Sequence, residues 1–200
     1  MRGRAWALLL CTLGACAHPG APSGAAPSGG SRGGPAPESA RYFPLAVGNQ
    51  WTYEASYLGE RSTRRVELVE FRDGSYVDRD GRALRVDREG VRDQVRYLLH
   101  EPLTAGATWT SVVAPGSAEH YRIVSVHAAC EAPAGRFPDC VDVESRTTAD
   151  PANPSRVLVN RVTFAAGVGI VRVRTELEEG QRTAPTAELR LSAFQVAALH

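Results

Sequence analysis

The 200-residue sequence contains no lysine, so all 23 of its basic residues are arginines. Chemistry that needs an ε-amino group, such as Schiff-base catalysis or the lysine of a nucleotide-binding P-loop, is therefore excluded. Excess charge is also nearly absent, because 22 acidic residues reduce the formal net charge to +1. The two signs are interleaved along the chain, which predicts no basic face of the kind that neutralises phosphates and argues against a nucleic-acid partner.

Catalytic and metal-binding signatures are missing as well. The sequence has no HExxH, CxxC, Gly-x-Ser-x-Gly or glycine-rich phosphate loop. His120 and His127 are seven residues apart, which puts them on opposite faces of one unbroken strand and prevents joint metal ligation. We expect solvated surface histidines, no cofactor, no metal site and no enzymatic activity, although a catalytic site assembled from distant segments would leave no local signature. The histidines that this expectation covers are His100, His120, His127 and His200.

No apolar run reaches the roughly 20 residues that a transmembrane helix needs. A short apolar run at residues 6–13 follows Arg2 and Arg4, the order found in secretory signals. The next residues, LGAC at 13–16, resemble the bacterial lipobox, in which the cysteine receives diacylglycerol and becomes the first residue of the mature protein. We therefore expect residues 1–15 to be a signal peptide and Cys16 to carry lipid. The alternative is an ordinary signal peptide in which Cys16 is incidental.

The lipobox resemblance implies an acyl anchor that holds the protein on a membrane without crossing it. Ala17, rather than an aspartate, follows the cysteine. By resemblance to lipoproteins of Gram-negative bacteria, this implies the periplasmic, inner leaflet of the outer membrane. Residues 16–40 consist almost wholly of Gly, Ala, Pro and Ser, a composition that cannot bury enough apolar surface to become ordered. We predict a disordered tether about 25 Å long on average, from the random-coil relation for flexible linkers.

From residue 41 to residue 200 the apolar positions recur with a period of two, and the length fits a single domain. Asp-Gly and Glu-Gly pairs supply turns between the runs. Because strands this close in sequence pair as antiparallel neighbours, we predict a mainly β fold: an antiparallel meander that forms a strongly curved sheet or half-barrel with little helix. The predicted strands are residues 50–58, 62–71, 75–79, 82–88, 91–99, 107–113, 120–129, 139–147, 156–165, 169–178 and 187–198; a helix is the alternative for the last.

Three segments resemble a pattern found in bacterial secreted proteins and lipoproteins of uncharacterised function. They are YFPLAVGNQWTY at residues 42–53, AGRFPDC at 134–140 and FAAGVGIV at 164–171. This chain departs from the pattern at Ala166, where a proline is usual. The resemblance implies a half-barrel related to periplasmic lipoprotein carriers of the LolA and LolB type, and it implies no catalytic residue.

The residues of these motifs point to structural roles. Trp51, Tyr53 and Trp109 are amphipathic rings at strand starts, expected to pack in the core or at its rim. Gly167 and Gly169 are expected to allow a bulge or a close approach between strands. A fourth segment, PL at 102–103 followed by Gly106 and Trp109, repeats the spacing of the first motif.

Two functions are compatible with this pattern. The first is a non-catalytic envelope lipoprotein whose β domain binds a partner protein or acts as a scaffold at the periplasmic face. The alternative is a carrier that holds an acyl chain or another apolar ligand inside a half-barrel, although the sequence shows no amphipathic helix that would cover its cavity. An aliphatic cavity of several hundred Å³ would favour the carrier, and a core filled by side chains would favour the first function.

Four cysteines occur, and their positions predict one disulfide. Cys11 leaves with the signal peptide and Cys16 is occupied by lipid, so Cys130 and Cys140 are the thiols left in an oxidising compartment. They lie at the end of one predicted strand and the start of the next. A returning hairpin can bring their Cα atoms within the roughly 4.4–6.8 Å that a disulfide requires. The alternative is a pair of buried free thiols packed as small hydrophobes.

Replacing Cys16 with serine or alanine should release the protein into a soluble fraction, because the rest of the chain has no other membrane-seeking segment. Fractionation of cells that express the wild type and the variant measures this, together with the intact mass of the wild type. A variant that stays in the salt-washed membrane pellet, with no acyl mass on the wild type, would contradict lipidation.

Overall fold

The structure is a computed structural model that describes residues 36–197. The predicted signal peptide, Cys16, most of the tether and His200 lie outside these residues. The part of the chain from Pro37 onward forms one compact unit. It contains a short helix and twelve strands: α1 (Ser39–Tyr42), β1 (Gln50–Tyr57), β2 (Glu60–Arg72), β3 (Ser75–Asp78), β4 (Ala83–Asp87), β5 (Gly90–Arg92), β6 (Tyr97–His100), β7 (Thr108–Ala114), β8 (Ser117–Ala132), β9 (Gly135–Thr148), β10 (Arg156–Ala165), β11 (Gly169–Glu179) and β12 (Arg182–Gln195).

The twelve strands form one antiparallel sheet in the order β6-β5-β4-β3-β2-β1-β12-β11-β10-β9-β8-β7. Every two consecutive strands are neighbours in the sheet except β6 and β7, and the first and last strands also pair, in its middle, with Gln50 opposite Gln195. The edges are β6 and β7, which are consecutive in the chain. The predicted fold class, a strongly curved antiparallel meander with little helix, is confirmed, and the sheet is nearly closed into a barrel-like form.

One predicted strand is wrong, because residues 91–99 are interrupted by a turn. The Asp93 carboxylate accepts hydrogen bonds from the backbone N–H groups of Val95 and Arg96, at 2.7 and 2.8 Å. An aspartate that bonds the backbone following it is a typical turn former. The turn separates β5 from β6. Its signal in the sequence was Asp93, an aspartate inside an otherwise apolar run.

The two ends of the domain were predicted in part. The C-terminal segment is a strand, as predicted, and not the alternative helix, but it starts at Arg182 instead of residue 187. At the other end, Ser39 is fully buried in α1 although the predicted tether extends to residue 40. A four-residue helix is too short to show a helical period, so nothing in the sequence signalled it.

The period of two matches the burial of alternate side chains. In β1, Trp51, Tyr53 and Ala55 are buried while the residues between them are partly exposed. Leu189 and Leu191 of the neighbouring β12 are buried in the same way. Since successive side chains of a strand point to opposite faces, these residues form the apolar inner face of the sheet.

The outer face carries cross-strand ion pairs. Arg161 on β10 contacts Glu144 on β9 at 3.0 Å, and Arg172 on β11 contacts Glu188 on β12 at 2.5 Å. Each exposed pair contributes little to stability, from about 0 to 1 kcal/mol. The interleaved charges of the sequence are therefore the solvated face of the sheet.

The repeated Pro-Leu motif forms the same turn before β1 and before β7. Gly48 and Gly106 both have a positive φ, +92° and +89°. The Gly48 N–H donates to the carbonyl of Leu68 at 2.7 Å, and the Gly106 N–H donates to that of Ile123 at 2.8 Å. In each case the N–H of that same partner residue, Leu68 or Ile123, donates in return to the carbonyl of the residue after the glycine. The spacing in the sequence thus reflects a repeated way of starting a strand.

Side chains rather than backbone bridge the two edges of the sheet. The indole Nε1 of Trp109 on β7 donates to the backbone carbonyl of Tyr97 on β6 at 3.1 Å. The indole lies between the rings of His100 and Tyr121, with centroids 5.7 and 5.0 Å away. We call the gap between β6 and β7 the seam, and the side chain of Trp109 spans it.

A buried ion pair lies beside the seam. Arg96, in the turn before β6, contacts Glu119 of β8 at 2.7 Å, and both side chains are largely buried. The hydroxyl of Tyr121 also donates to Glu119. Burial opposes a charge on Arg96, but the nearby Glu119 and Asp93 outweigh this effect and raise the pKa of Arg96. Arg96 therefore stays charged, and its contact with Glu119 links the β6 side of the sheet to β8.

Trp109→Ala should lower the free energy of unfolding by about 3–5 kcal/mol, because it removes a packed indole that spaces the seam. Trp109→Phe keeps an aromatic ring and loses the Tyr97 hydrogen bond, so it should cost about 0.5–1.5 kcal/mol. Urea unfolding followed by circular dichroism measures both. Equal losses for the two variants would show that the ring does not support the seam.

Candidate functional site

The three motif segments meet at one end of the sheet, around a stretch that we call the plug, residues 37–45. The N–H of Gly167 donates to the carbonyl of Arg41 in the plug at 2.8 Å. The N–H of Ala166 donates to the carbonyl of Asp139 at 2.9 Å. A proline at 166 could not donate this bond, so the departure from the family pattern gives the chain one additional contact.

Aromatic rings hold the plug against the sheet. Phe43 packs edge-on against Trp51 with ring centroids 5.8 Å apart, and its ring lies 6.0 Å from that of Phe164. The indole of Trp51 donates to the carbonyl of Val168 at 2.6 Å. A Cβ on Gly169 would lie 3.0 Å from the Phe43 ring, which explains why this position is a glycine. The predicted packing role of Trp51 and the predicted close approach at Gly169 therefore match the structure.

A buried asparagine joins the plug to the end of the sheet's central strand pair at which β1 begins and β12 ends. Asn49 precedes β1, and its side-chain Nδ2 donates to the carbonyl of Pro44 at 3.0 Å. Its Oδ1 accepts the backbone N–H of Ala197, just after β12, at 2.9 Å. Because buried polar groups need partners, this satisfied amide fixes the position of the motif.

A polar group that we call the plug cluster lies next to these rings and comprises Arg41, Tyr42, His127 and Asp139. The Tyr42 hydroxyl donates to Asp139 Oδ1 at 2.7 Å. Nδ1 of His127 lies 3.1 Å from that hydroxyl and 3.2 Å from the same carboxylate oxygen. Arg41 forms an ion pair with Asp139 at 2.5 Å. The cluster therefore connects the plug to β8 and β9.

His127 enters the cluster through an irregularity in β8. The pairing of β8 with β9 changes register three times between Ile123 and Cys130, and His127 has a φ of +55°, which is rare for residues other than glycine. His120 and His127 were expected on opposite faces of one unbroken strand. Because β8 is irregular between them, that premise is wrong. The two histidines nevertheless have separate partners, since Nδ1 of His120 lies 3.2 Å from the hydroxyl of Thr110. Within residues 36–197, no group of three or more His, Cys, Asp or Glu side chains could hold a metal ion.

The environment of the cluster shifts the pKa values of Asp139 and Tyr42 in opposite directions. Burial alone would raise the pKa of Asp139, but hydrogen bonds from Tyr42 and His127 and the charge of Arg41 lower it overall. Burial and the bond to Asp139 raise the pKa of Tyr42. The carboxylate is thus ionised and saturated with donors, and the phenol stays protonated. Neither group is prepared to act as a base or nucleophile near neutral pH.

The histidines predicted to be solvated differ from one another. His127 is more than half exposed yet belongs to the plug cluster. His100 is held more tightly, because its Nδ1 lies 2.6 Å from the carbonyl oxygen of Glu101 and its ring stacks on Trp109. Glu101 directly follows His100, but the other partners come from distant parts of the chain and therefore have no local sequence signal.

The hairpin of β8 and β9 carries the disulfide. Cys130 and Cys140 are bonded, with their Cα atoms 6.2 Å apart. Beyond this bond the hairpin contacts β12, where the N–H of Ala134 donates to the carbonyl of Leu191 at 2.9 Å. Cys140 directly follows Asp139, so the disulfide braces the segment that supplies the plug cluster with its carboxylate.

One cavity of about 390 Å³ opens at the other end of β1. Its lining includes Leu58 and Pro185 but also the charged side chains of Arg172, Arg174 and Glu188. This lining does not resemble the aliphatic cavity that an acyl carrier requires. In the described part of the chain, no helix has the length and apolar character needed to cross a membrane.

One solved structure shares this fold, and a second match is weaker. One is a candidate exported protein with a YmcC-like fold from Bacteroides fragilis NCTC 9343, matched with a TM-score of 0.50 at 13% identity over 76% of this chain and 98% of that chain. The other is a candidate lipoprotein from Parabacteroides distasonis ATCC 8503, with a TM-score of 0.44 at 13% identity over 77% and 98%.

The likeness to the Bacteroides fragilis protein is one of fold alone, because the identity is low. Neither neighbour carries an enzymatic activity in its name. No protein-family model and no curated protein sequence matches the chain. The relation to LolA and LolB carriers therefore stays an expectation of the motif resemblance.

Tyr42→Phe should lower the free energy of unfolding by about 1–3 kcal/mol at pH 7, since it removes a donor to a charged acceptor. The folded state lowers the pKa of Asp139, so the cluster's contribution is present above about pH 4 and is lost as the pH falls. The variant should therefore show a weaker dependence of stability on pH in the acid range. Tyr76→Phe, on β3 and outside the cluster, is the matched control in urea titrations from pH 2 to pH 7.

Denatured but unreduced protein from the periplasm should contain no alkylatable thiol at positions 130 and 140, and two thiols after reduction. Mass spectrometry after iodoacetamide treatment counts them. The bond should contribute about 2–3 kcal/mol through the short loop that it closes. Two labelled cysteines in the unreduced sample would mean that the pair is free in the cell.

Proposed function

We propose that the chain is a lipid-anchored protein of the bacterial envelope whose β domain binds a partner protein and catalyses no reaction. In this proposal residues 1–15 are the signal peptide, Cys16 carries the acyl anchor at the outer membrane, and the following residues form the tether. The fold shared with an exported protein supports this assignment.

The attachment of the plug is the observation on which the proposal rests. The chain that arrives from the anchor enters the fold at Pro37, and two residues later it is buried in α1. Tyr42 and Phe43 then fasten it to the sheet through Asp139 and Trp51. A domain held at one end in this way leaves the rest of its surface exposed, which suits the display of a binding surface.

The side chains that come closest to a catalytic arrangement support a non-catalytic role. The Tyr42, His127 and Asp139 side chains resemble a catalytic arrangement in composition, but their donors and acceptors are directed at one another. The charged lining of the described cavity gives no support to the acyl carrier, so partner binding is the function that we propose.

A scan with a photoreactive phenylalanine analogue tests partner binding in the intact, anchored protein. The analogue replaces Leu58, Val112 or Val124, which are exposed on different parts of the domain. Irradiation of living cells should give an adduct of one defined mass from at least one position, identified by mass spectrometry. A folded, membrane-bound protein that gives no adduct from any position would contradict the proposal.

A further inference from the structure

The cavity at the far end of β1 owes its shape to an irregularity between β11 and β12. The register of these strands shifts between Thr175 and Glu176, which leaves Thr186 without a register partner on β11. The carbonyl of Thr186 accepts the N–H of Leu58, in the turn between β1 and β2, at 3.0 Å. Bulges of this kind redirect side chains and are frequent beside functional sites. The bulge and the turn together wall the cavity of about 390 Å³, which we call the far cavity.

The leucine at the rim of the far cavity is unusual in two respects. Leu58 is 69% exposed, and its φ is +47°. Two-residue hairpin turns with a positive φ prefer asparagine, aspartate or glycine. Neither the turn nor burial therefore favours a leucine at this position. Pro185 lines the same cavity, so the two side chains offer an apolar contact at its rim.

The charged side chains that line the far cavity are two arginines and one glutamate. Arg172 donates through Nε and Nη2 to a single oxygen of Glu188, at 2.8 and 2.5 Å. Arg174 contacts Glu176 through Nη2 at 2.6 Å. A guanidinium group has five N–H donors, so each arginine retains donors for a further acceptor. Both arginine side chains are 45% exposed, which leaves these donors accessible.

A third arginine lies beside the far cavity. Arg61 on β2 is the register partner of Ser56, which lines the cavity. Among residues 36–197, Arg61 has no ion-pair partner. The arginines around the far cavity thus outnumber the carboxylate that lines it. This balance favours an anion over a cation, and a carboxylate matches the planar donor pattern of guanidinium groups.

We propose that the far cavity accepts a carboxylate of a partner protein, which binds Arg172 and Arg174 while an adjoining aliphatic side chain contacts Leu58. It rests on the proposed function and identifies the surface that performs it. The far cavity lies at the end of β1 away from the plug, so the anchored end of the domain does not cover it. An aspartate or glutamate side chain and the C-terminus of the partner offer the same carboxylate chemistry.

The test places the photoreactive phenylalanine analogue at Leu58 in the full-length anchored chain. Arg174→Glu should lower the yield of the adduct about tenfold or more, because it sets a like charge against the carboxylate. Arg174→Gln removes the charge without reversing it and should also lower the yield. Arg136→Glu, the matched control, makes the same charge reversal in the exposed β8–β9 hairpin and should leave the yield within about twofold. Circular dichroism and the intact disulfide verify the folding of each variant.

A variant of the lining glutamate should change the yield in the opposite direction. Glu188→Gln removes the carboxylate that occupies two donors of Arg172, so the adduct should increase. A decrease would mean that the far cavity selects a cation, and it would overturn the proposal. Mass spectrometry of the cross-linked peptide should find an acidic residue or the partner's C-terminus beside the linked atom, which distinguishes the two sources of the carboxylate.

The remaining outcomes separate the far cavity from partner binding in general. The far cavity is rejected if both Arg174 variants leave the adduct at Leu58 unchanged, if the captured segment has no carboxylate, or if the adduct joins two copies of this chain. Adducts from Val112 or Val124 with none from Leu58 would reject the far cavity and leave partner binding intact. The absence of an adduct at every position would reject both.

Discussion

The packing of Phe43 on Trp51 is the contact on which the rest of this end of the molecule depends. The Trp51 indole also bonds Val168, and Gly169 lacks a Cβ where the two rings need the space. One pair of rings thus sets the position of the plug, the start of β1 and the turn between β10 and β11. The polar contacts of Tyr42, Arg41 and Asp139 become possible once the rings have placed the plug.

This dependence gives the three motif segments one structural role in this chain. They are distant along the chain, but each contributes one side of the same assembly: the plug and Trp51, Asp139 before Cys140, and the turn around Gly167. In this chain the motif residues are accounted for by packing and hydrogen bonding. Contacts of this kind carry little information about ligands, which is why the motifs suggested a fold and no chemistry.

The sheet could be predicted from the sequence because alternation and turn residues are local signals. Trp51, Tyr53 and Ala55 show the period directly, and the Cys130–Cys140 pair followed from two predicted strand ends. The plug cluster could not be predicted, because His127 reaches Asp139 and Tyr42 only after β8 changes register. The turn at Asp93 was missed because one aspartate competes with strong apolar neighbours, and the short helix α1 because four residues show no period.

The pairing of β1 with β12 has a consequence for how the molecule is made. The central pair of the sheet joins residues from the two extremes of the domain, as Gln50 and Gln195 show. Contacts between such distant parts of a chain are slow to form, because the entropy of closing the loop must be overcome first. A chain that crosses a membrane from its N-terminus therefore cannot complete its sheet until the last strand has emerged. In the proposed export, the central pair of the sheet therefore forms only on the far side of that membrane.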